Sequence, residues 1–573
     1  MGVIKPCKVS QQHNQQTDKQ RWGKHSVLEK KGYTTQKEVE NGVIATDKHG
    51  DQFVIKEIKL NETSVLNSSA REIVSEVESL RQISHPHIVS YKNSFPEDNC
   101  YYIVTDHCAK GNLCQKIQEQ MTNPTEEYSE KIMDWFVKIC MALKHVHEQD
   151  LLHRELRPQS VLLTEFETLR LGAFGSVNEK TTNEDGMVGY LAPEILTGGM
   201  YDTKSDIWSL GCVLYELCML QGAFTAVETT DLIKKILRGS YPSLPKSFSP
   251  ELCELLCDIF QQDPTIRPSA GDIMAKPFII SFLKKKSEKT VEELQTTLDK
   301  LRTLAGGLES IHKGTTIGSL TGGVIGAAGG ITSLVGLIMA PFTLGASLIV
   351  TGVGIGVAVT GGATAGVSNI TNMVNQSTDR LAMKNIIKEF QEKMNSVVTS
   401  LQDIAEGLET LMKSSSSKTE SAGLNVEAAA SAGVRVGKGV AGTTELFRYL
   451  RVANIGKVAA QTARAVRVAE MATGIFSAFF VAVDIFFIAM DAKEIHNIRH
   501  AKENDTSKLK VMDTDSCTEL KPGCEEPKAE VKSETMKFLQ TIRQTAERLQ
   551  ESLDELRDVI SFIPEIEDCY FDD

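Results

Sequence analysis

Between Thr315 and Thr378 the chain carries no Asp, Glu, Lys, Arg or His. Gly, Ala, Ser, Thr, Val and Ile dominate the stretch, and Gly318, Gly322, Gly326 and Gly330 form a ladder with a step of four. Gly352 and Gly356, then Gly362 and Gly366, repeat that step. Small residues four apart let two helices approach closely, as membrane helices do. In water each helical Gly costs about 1 kcal/mol relative to Ala, so such a segment needs either a protein core or a bilayer. Pro341 and Phe342 near its middle predict a hairpin turn. Each leg of roughly 20 residues is long enough to cross a hydrocarbon core. A hairpin buried in a helical bundle and a hairpin inserted in a membrane both remain open, with insertion read as a conditional state.

The surroundings predict helices. Leu294, Leu298, Leu301, Leu304 and Leu308 follow steps of three and four. So do Phe390, Met394, Val397, Leu401, Ile404, Leu408 and Leu411, and so do Met536, Leu539, Ile542, Ala546, Leu549, Leu553, Leu556 and Ile560. One apolar stripe per helix is the pattern of bundles and coiled coils. A second apolar run, Met471 to Met490, is interrupted by Asp484, a carboxylate that is expensive at membrane depth unless paired or protonated. Just before it lie Arg435, Lys438, Arg448, Arg451, Lys457, Arg464 and Arg467, opposed only by Glu445. In a chain of net charge −13, that local positive excess suits anionic lipid headgroups. The acidic balance argues against a general nucleic-acid binder. The twelve Cys show no zinc-type spacing and read as reduced thiols.

The first half differs in kind. Short β-type runs (Phe53-Val54-Ile55, Tyr101-Tyr102-Ile103-Val104) precede helical patterns such as Trp135 to His147. Eight anchors appear in a fixed order: Phe53-Val54-Ile55-Lys56, Glu76, Ser84-His85-Pro86-His87-Ile88-Val89, His153-Arg154-Glu155-Leu156-Arg157-Pro158, Ala173-Phe174-Gly175, Ala192-Pro193-Glu194, Asp206-Ile207-Trp208-Ser209-Leu210-Gly211 and Arg267-Pro268. Together they resemble a protein kinase domain. The segment His107-Cys108-Ala109-Lys110-Gly111-Asn112-Leu113 and the wording around Glu76 look most like the NIMA-related (Nek) serine/threonine kinases.

That resemblance implies a set of parts, and several are altered. The base position is Glu155, one methylene longer than Asp, and Arg157 stands where a Lys is usual. Ala173 replaces the metal-binding Asp of the DFG motif, and Ser160 replaces the catalytic-loop Asn, so no metal site is expected. The glycine-rich flap aligns near Thr34-Thr35-Gln36-Lys37-Glu38-Val39, which has no glycine. The segment Val188-Gly189-Tyr190-Leu191 before Ala192 is shorter than the family pattern and lacks its Thr. Lys56 and Glu76 remain as a cofactor-binding pair, which leaves room for ATP without a well-formed Mg site. Glu194 with Arg267, and Asp206 with the catalytic-loop backbone, remain as structural pairs.

Leu308-Glu309-Ser310-Ile311-His312-Lys313-Gly314, the Gly-rich run through Met339-Ala340-Pro341-Phe342-Thr343-Leu344, and Ala478-Phe479-Phe480-Val481-Ala482-Val483-Asp484 followed by Lys493, His496 and His500 resemble the apolipoprotein L family. The resemblance implies lipid or membrane binding, lipid transport and pH-gated insertion, with Pro341, Phe342 and Asp484 as membrane-site residues. The expected fold is multidomain: a polar tail over 1–25, a two-lobed α+β kinase-like fold over 26–284, and an all-α domain with apolar helical hairpins over 288–573. Three functions follow. The first is a pseudokinase scaffold joined to a membrane-binding domain. The second is a weak or atypical serine/threonine kinase targeted to membranes. The third is a lipid-binding or lipid-transport protein with the kinase-like half as spacer. Expected partners are anionic lipid surfaces, and proteins met through the kinase-like domain and the coiled-coil helices. The opening residues lack an apolar signal-peptide core, so the expected location is cytoplasmic and membrane-associated; extracellular residence is the alternative by analogy with secreted apolipoprotein L.

Overall fold

The alternation of Phe53, Val54, Ile55 and Lys56 suits a strand with one apolar face, and the computed structural model forms it as β3 (Gln52–Lys59). The model describes residues 27–39, 42–48, 50–59, 79, 81–97, 100–172, 186–318, 384–411, 455–510 and 527–563. Glu76, Ala173, Pro341 and Phe342 lie outside the described residues. The chain divides into two units, Met1–Met274 and Ala275–Asp573.

In the first unit, β1 (Thr34–Val39), β2 (Gly42–Thr46), β3, β4 (Tyr91–Glu97) and β5 (Cys100–Asp106) make an antiparallel sheet ordered β1-β2-β3-β5-β4. Ala45, Ile55, Phe95, Tyr102 and Val104 bury one face together with Val27 and Leu28. Lys56, next to Ile55 and opposite Ile103, therefore points to the other face.

Helices follow: α1 (Leu113–Thr122), α2 (Glu126–Glu148), α3 (Pro193–Leu196), α4 (Thr203–Met219), α5 (Thr229–Arg238), α6 (Pro250–Ile259) and α7 (Ala270–Met274). A small antiparallel pair, β6 (Val161–Leu163) and β7 (Leu169–Leu171), sits between α2 and α3. Asp202 caps α4 by accepting from the Lys204 and Ser205 N–H groups, which satisfies two donors that a helix start leaves open. Trp208 of α4 stacks on Phe224 at 5.3 Å, with Arg267 over its ring at 5.0 Å. The unit is thus a β-sheet lobe followed by a helical lobe.

In the second unit the stripes become α8 (Pro277–Gly318), α9 (384–411), α10 (Ile455–Lys510) and α11 (Pro527–Ser561). Leu294 and Leu298, then Phe390, Leu401 and Ile404, and Leu549, Leu553 and Leu556 are buried as their spacing requires. Met536, at the start of its stripe, is 45% exposed instead, because it precedes the first buried contact at Phe538. Phe390 meets Phe476 edge to face, and Phe538 stacks on Phe486 at 4.2 Å. Gln295 and Gln550 exchange a reciprocal pair of amide hydrogen bonds, 2.9 Å each, and Arg557 adds a donor to Gln295 Oε1 at 2.7 Å. Helices α8 and α11 are thus antiparallel and in fixed register.

Candidate functional site

The catalytic loop runs from Leu151 to Ser160, and its backbone is held from beneath by one carboxylate. Asp206 of α4 is fully buried and accepts from the N–H of His153 at 2.9 Å and of Arg154 at 3.0 Å. His147 Nε2 at 3.0 Å and the Tyr201 hydroxyl at 2.6 Å complete its shell. Burial pushes the Asp206 carboxyl up, but the His147 bond, the nearby imidazoles and Tyr201 outweigh it, and the group ends below its usual range. Arg154 takes the left-handed conformation, φ 66°, which costs a non-Gly residue about 1–2 kcal/mol. The two N–H bonds to Asp206 hold it there.

His153 accepts the Glu155 N–H on Nδ1 at 3.3 Å, so its Nε2 donates to the Gly172 carbonyl at 2.8 Å. It is neutral, and burial lowers its pKa. His87 likewise donates Nδ1–H to the Leu169 carbonyl at 3.1 Å, and burial brings its pKa down to about 3.

The chemistry-bearing groups above this frame are engaged with one another. Glu155 is buried, and its Oε1 accepts from Arg157 Nη2 at 2.8 Å. Ser160 is buried too; its hydroxyl donates to the Arg157 carbonyl at 2.7 Å and accepts the Arg157 N–H at 3.1 Å. The residue expected in place of a metal-binding Asn is spent on closing its own loop. Among the described residues no group of three or more His, Cys, Asp or Glu is placed to hold a metal. Glu155 and Ser160, each engaged within its own loop, do not fit a resident Mg²⁺.

Lys56 lies on β3, mostly buried. Burial lowers its pKa, and the charge of Glu155 opposes that. Glu76, its expected partner, is outside the described residues. Thr34–Val39, the glycine-free stretch aligned with the flap, is strand β1, and Val39 pairs with Gly42 at the start of β2. Gly42 has φ 148°, and a Cβ there would lie 2.4 Å from the Ile55 carbonyl oxygen, so the hairpin needs glycine at that point.

Glu194 and Arg267 form the expected bidentate pair, Nη1 to Oε1 at 2.8 Å and Nη2 to Oε2 at 2.7 Å. Two relationships escape the sequence. Tyr190, just before Ala192, donates its hydroxyl to Glu216 of α4. Asp484 is not the lone carboxylate that the apolar run suggests. Lys384 of α9 sits 2.8 Å away, and both side chains are about one-third exposed. No local pattern announces a partner one hundred residues upstream.

With this geometry in place, the comparisons with known proteins fall on the two halves separately. Residues 40–279 match the protein kinase domain family. Serine/threonine-protein kinase Nek1 of Mus musculus is 41% identical over 249 residues, 42% of this chain and 20% of Nek1. Nek4 of Mus musculus is 36% identical over 248 residues, 31% of its length, and Nek5 of Homo sapiens 35% over 239 residues, 33% of its length. The chain carries a protein kinase domain with Nek-family relatives. It spans a third or less of the length of these three. Residues 274–515 match the apolipoprotein L family, so the Nek-like domain is fused to an apolipoprotein L region in one polypeptide.

Proposed function

We propose that the Nek-like domain is a pseudokinase scaffold and that the apolipoprotein L region is its membrane-binding arm. The observation that carries the first part is the Arg157–Glu155 pair beside a self-capped Ser160. The carboxylate in the base position already has a cation, the Asn position is a cap, and the stretch aligned with the flap, Thr34–Val39, has no glycine. Phosphoryl transfer needs all three parts placed within about 1 Å. Lys56 is left as an anchor for a nucleotide held without metal. The intact Asp206 and Glu194–Arg267 frame supports a folded domain that presents surfaces to protein partners.

The second part rests on α10. Ala460–Phe486 is apolar and long enough to cross a bilayer by length and composition, and 33% of that window is buried. A core helix passes the same test, so the arm is read as binding anionic surfaces and inserting on demand. The protein then works at a cytoplasmic membrane face.

The deciding experiment is thermal shift of the full chain with ATP, with and without Mg²⁺, beside a phosphotransfer assay. Stabilisation by ATP that Mg²⁺ does not improve, with no transfer, is expected. Robust transfer that Lys56→Ala abolishes overturns the scaffold reading. Flotation with anionic against neutral vesicles tests the arm: binding to anionic vesicles that weakens with salt is expected, and equal binding to both overturns its electrostatic part.

A further inference from the structure

Helix α10 is apolar on two sides, and the bundle uses only one. Ile475, Phe476, Phe479, Val483 and Phe486 are buried. On the other side Met471, Val481, Ile485 and Ile488 are 53%, 58%, 54% and 56% exposed. With exposed Gly474 and Ala478 between them, they run in steps of three and four, a continuous seam along the helix. A Cβ built on Gly474 meets nothing within 4 Å, so the seam is open at its middle. A seam of this length left in water is unusual for a folded protein.

We propose that in the lipid-free protein this seam is covered by the chain's own charge-free segment, within residues 319–383. Three observations select it. The first is where the segment begins and ends. It rejoins the described bundle at Lys384, whose Nζ is 2.8 Å from Asp484, the neighbour of Ile485. Its other end, Gly318, lies about two and a half turns beyond Glu309, which pairs with Arg543 of α11. Helix α11 runs antiparallel to α8 and places Phe538, near Arg543, against Phe486. Both ends therefore emerge at the Asp484–Ile488 end of the seam.

The second observation is chemical. From Val468 to Asp491 the helix carries Glu470, Asp484 and Asp491 and no Lys or Arg. Two copies of the seam facing each other would bury Glu470 and the Asp484–Lys384 pair at their contact, at a desolvation cost. A segment without any charged residue from Thr315 to Thr378 brings no charge of its own to that contact. The third is steric. Gly474 and Ala478 are small residues four apart, the same step as the glycine ladder, and such surfaces pack backbone to backbone. The inference stands apart from lipid binding and holds or fails in the absence of lipid.

The test uses the full chain, purified without detergent or lipid, carrying the photo-crosslinker p-benzoylphenylalanine at Val481. Irradiation followed by peptide mapping is expected to place the adduct within residues 319–383. Adducts to a second copy, adducts within residues 27–274, or no intrachain adduct each overturn the proposal. A second measurement guards against a perturbed probe. The segment has no trypsin site between Lys313 and Arg380, so elastase, which cuts after small residues, reports its accessibility. Val481→Asp changes only the exposed seam and is expected to speed elastase cleavage within 319–383 by about tenfold, as release of a docked segment does. An unchanged rate overturns the proposal.

Discussion

Arg157 Nη2 donates to Glu155 Oε1 at 2.8 Å, two residues away along the same loop. Each of these residues stands where the kinase pattern has a shorter acid or a different base, and the two substitutions answer each other. A longer carboxylate reaches a guanidinium that forks, and the pair neutralises the groups that would otherwise face a nucleotide and its acceptor.

Repairing the metal positions alone should therefore not restore transfer. The double variant Ala173→Asp with Ser160→Asn is expected to remain without measurable phosphotransfer to a generic protein substrate. Glu155 stays paired and Thr34–Val39 stays without glycine in that variant. Radiolabel incorporation with Mg²⁺-ATP is the measurement, and activity within tenfold of an ordinary kinase (about 1–100 per second) would contradict the expectation.

Asp206 is the keystone of the loop, and its removal should be costly. Asp206→Asn turns an acceptor facing four donors into a group with donors of its own, a loss of about 3 kcal/mol. Because its folded pKa lies below the unfolded value of about 3.9, the charged carboxylate stabilises the fold above that pH and the contribution is lost as pH falls through the folded value. Urea unfolding of the wild type and variant at pH 7 and pH 3 checks both statements: the gap between them should narrow at the lower pH, below the unfolded value.

The buried imidazoles act in a higher window. His87, with its pKa near 3, stays neutral in the folded chain while the unfolded chain binds a proton below about 6.5. Between those values the unfolded state holds more protons, so stability falls as pH falls, by at most about 1.4 kcal/mol per pH unit from this group. His85 and His153 are lowered by burial as well and add slope of the same sign. His87→Asn keeps a donor toward the Leu169 carbonyl and removes the titration. Its stability should depend on pH between 6 and 4 less steeply than the wild type's, by about that amount; equal slopes would refute the assignment.

The Lys384–Asp484 pair predicts a separation of stability from insertion. Both side chains are about one-third exposed, so solvent screens the pair and Asp484→Asn should cost under about 1 kcal/mol. Inserting α10 requires the carboxylate to be stripped of water, and the variant removes that barrier. Permeabilisation of anionic vesicles at pH 7 is expected to rise in Asp484→Asn with little change in melting temperature. A large drop in melting temperature with unchanged permeabilisation would make the pair purely structural.

The sequence was most informative where chemistry is local. The kinase anchors, the Asp206 and Glu194–Arg267 pairs and the buried stripes of α8, α9 and α11 all follow from residue type and spacing. The glycine that the β1–β2 hairpin requires, Gly42 at the start of β2, lies just past the stretch Thr34–Val39, and its need shows only in the backbone, at φ 148°. The sequence was silent where partners lie far apart in the chain: Lys384 for Asp484 and Glu216 for Tyr190 depend on three-dimensional placement that periodicity does not encode.

The amide pair Gln295–Gln550 carries no proton to gain or lose. Acid that discharges the Lys393–Glu293 and Lys384–Asp484 bridges leaves this latch between α8 and α11 untouched, and salt that screens them leaves it untouched as well. The bundle therefore has a fixed seam and a releasable one. Low pH and high salt weaken the polar attachments of α9, whose hold then rests on the buried Phe390, Leu401 and Ile404, while the α8–α11 amide register persists.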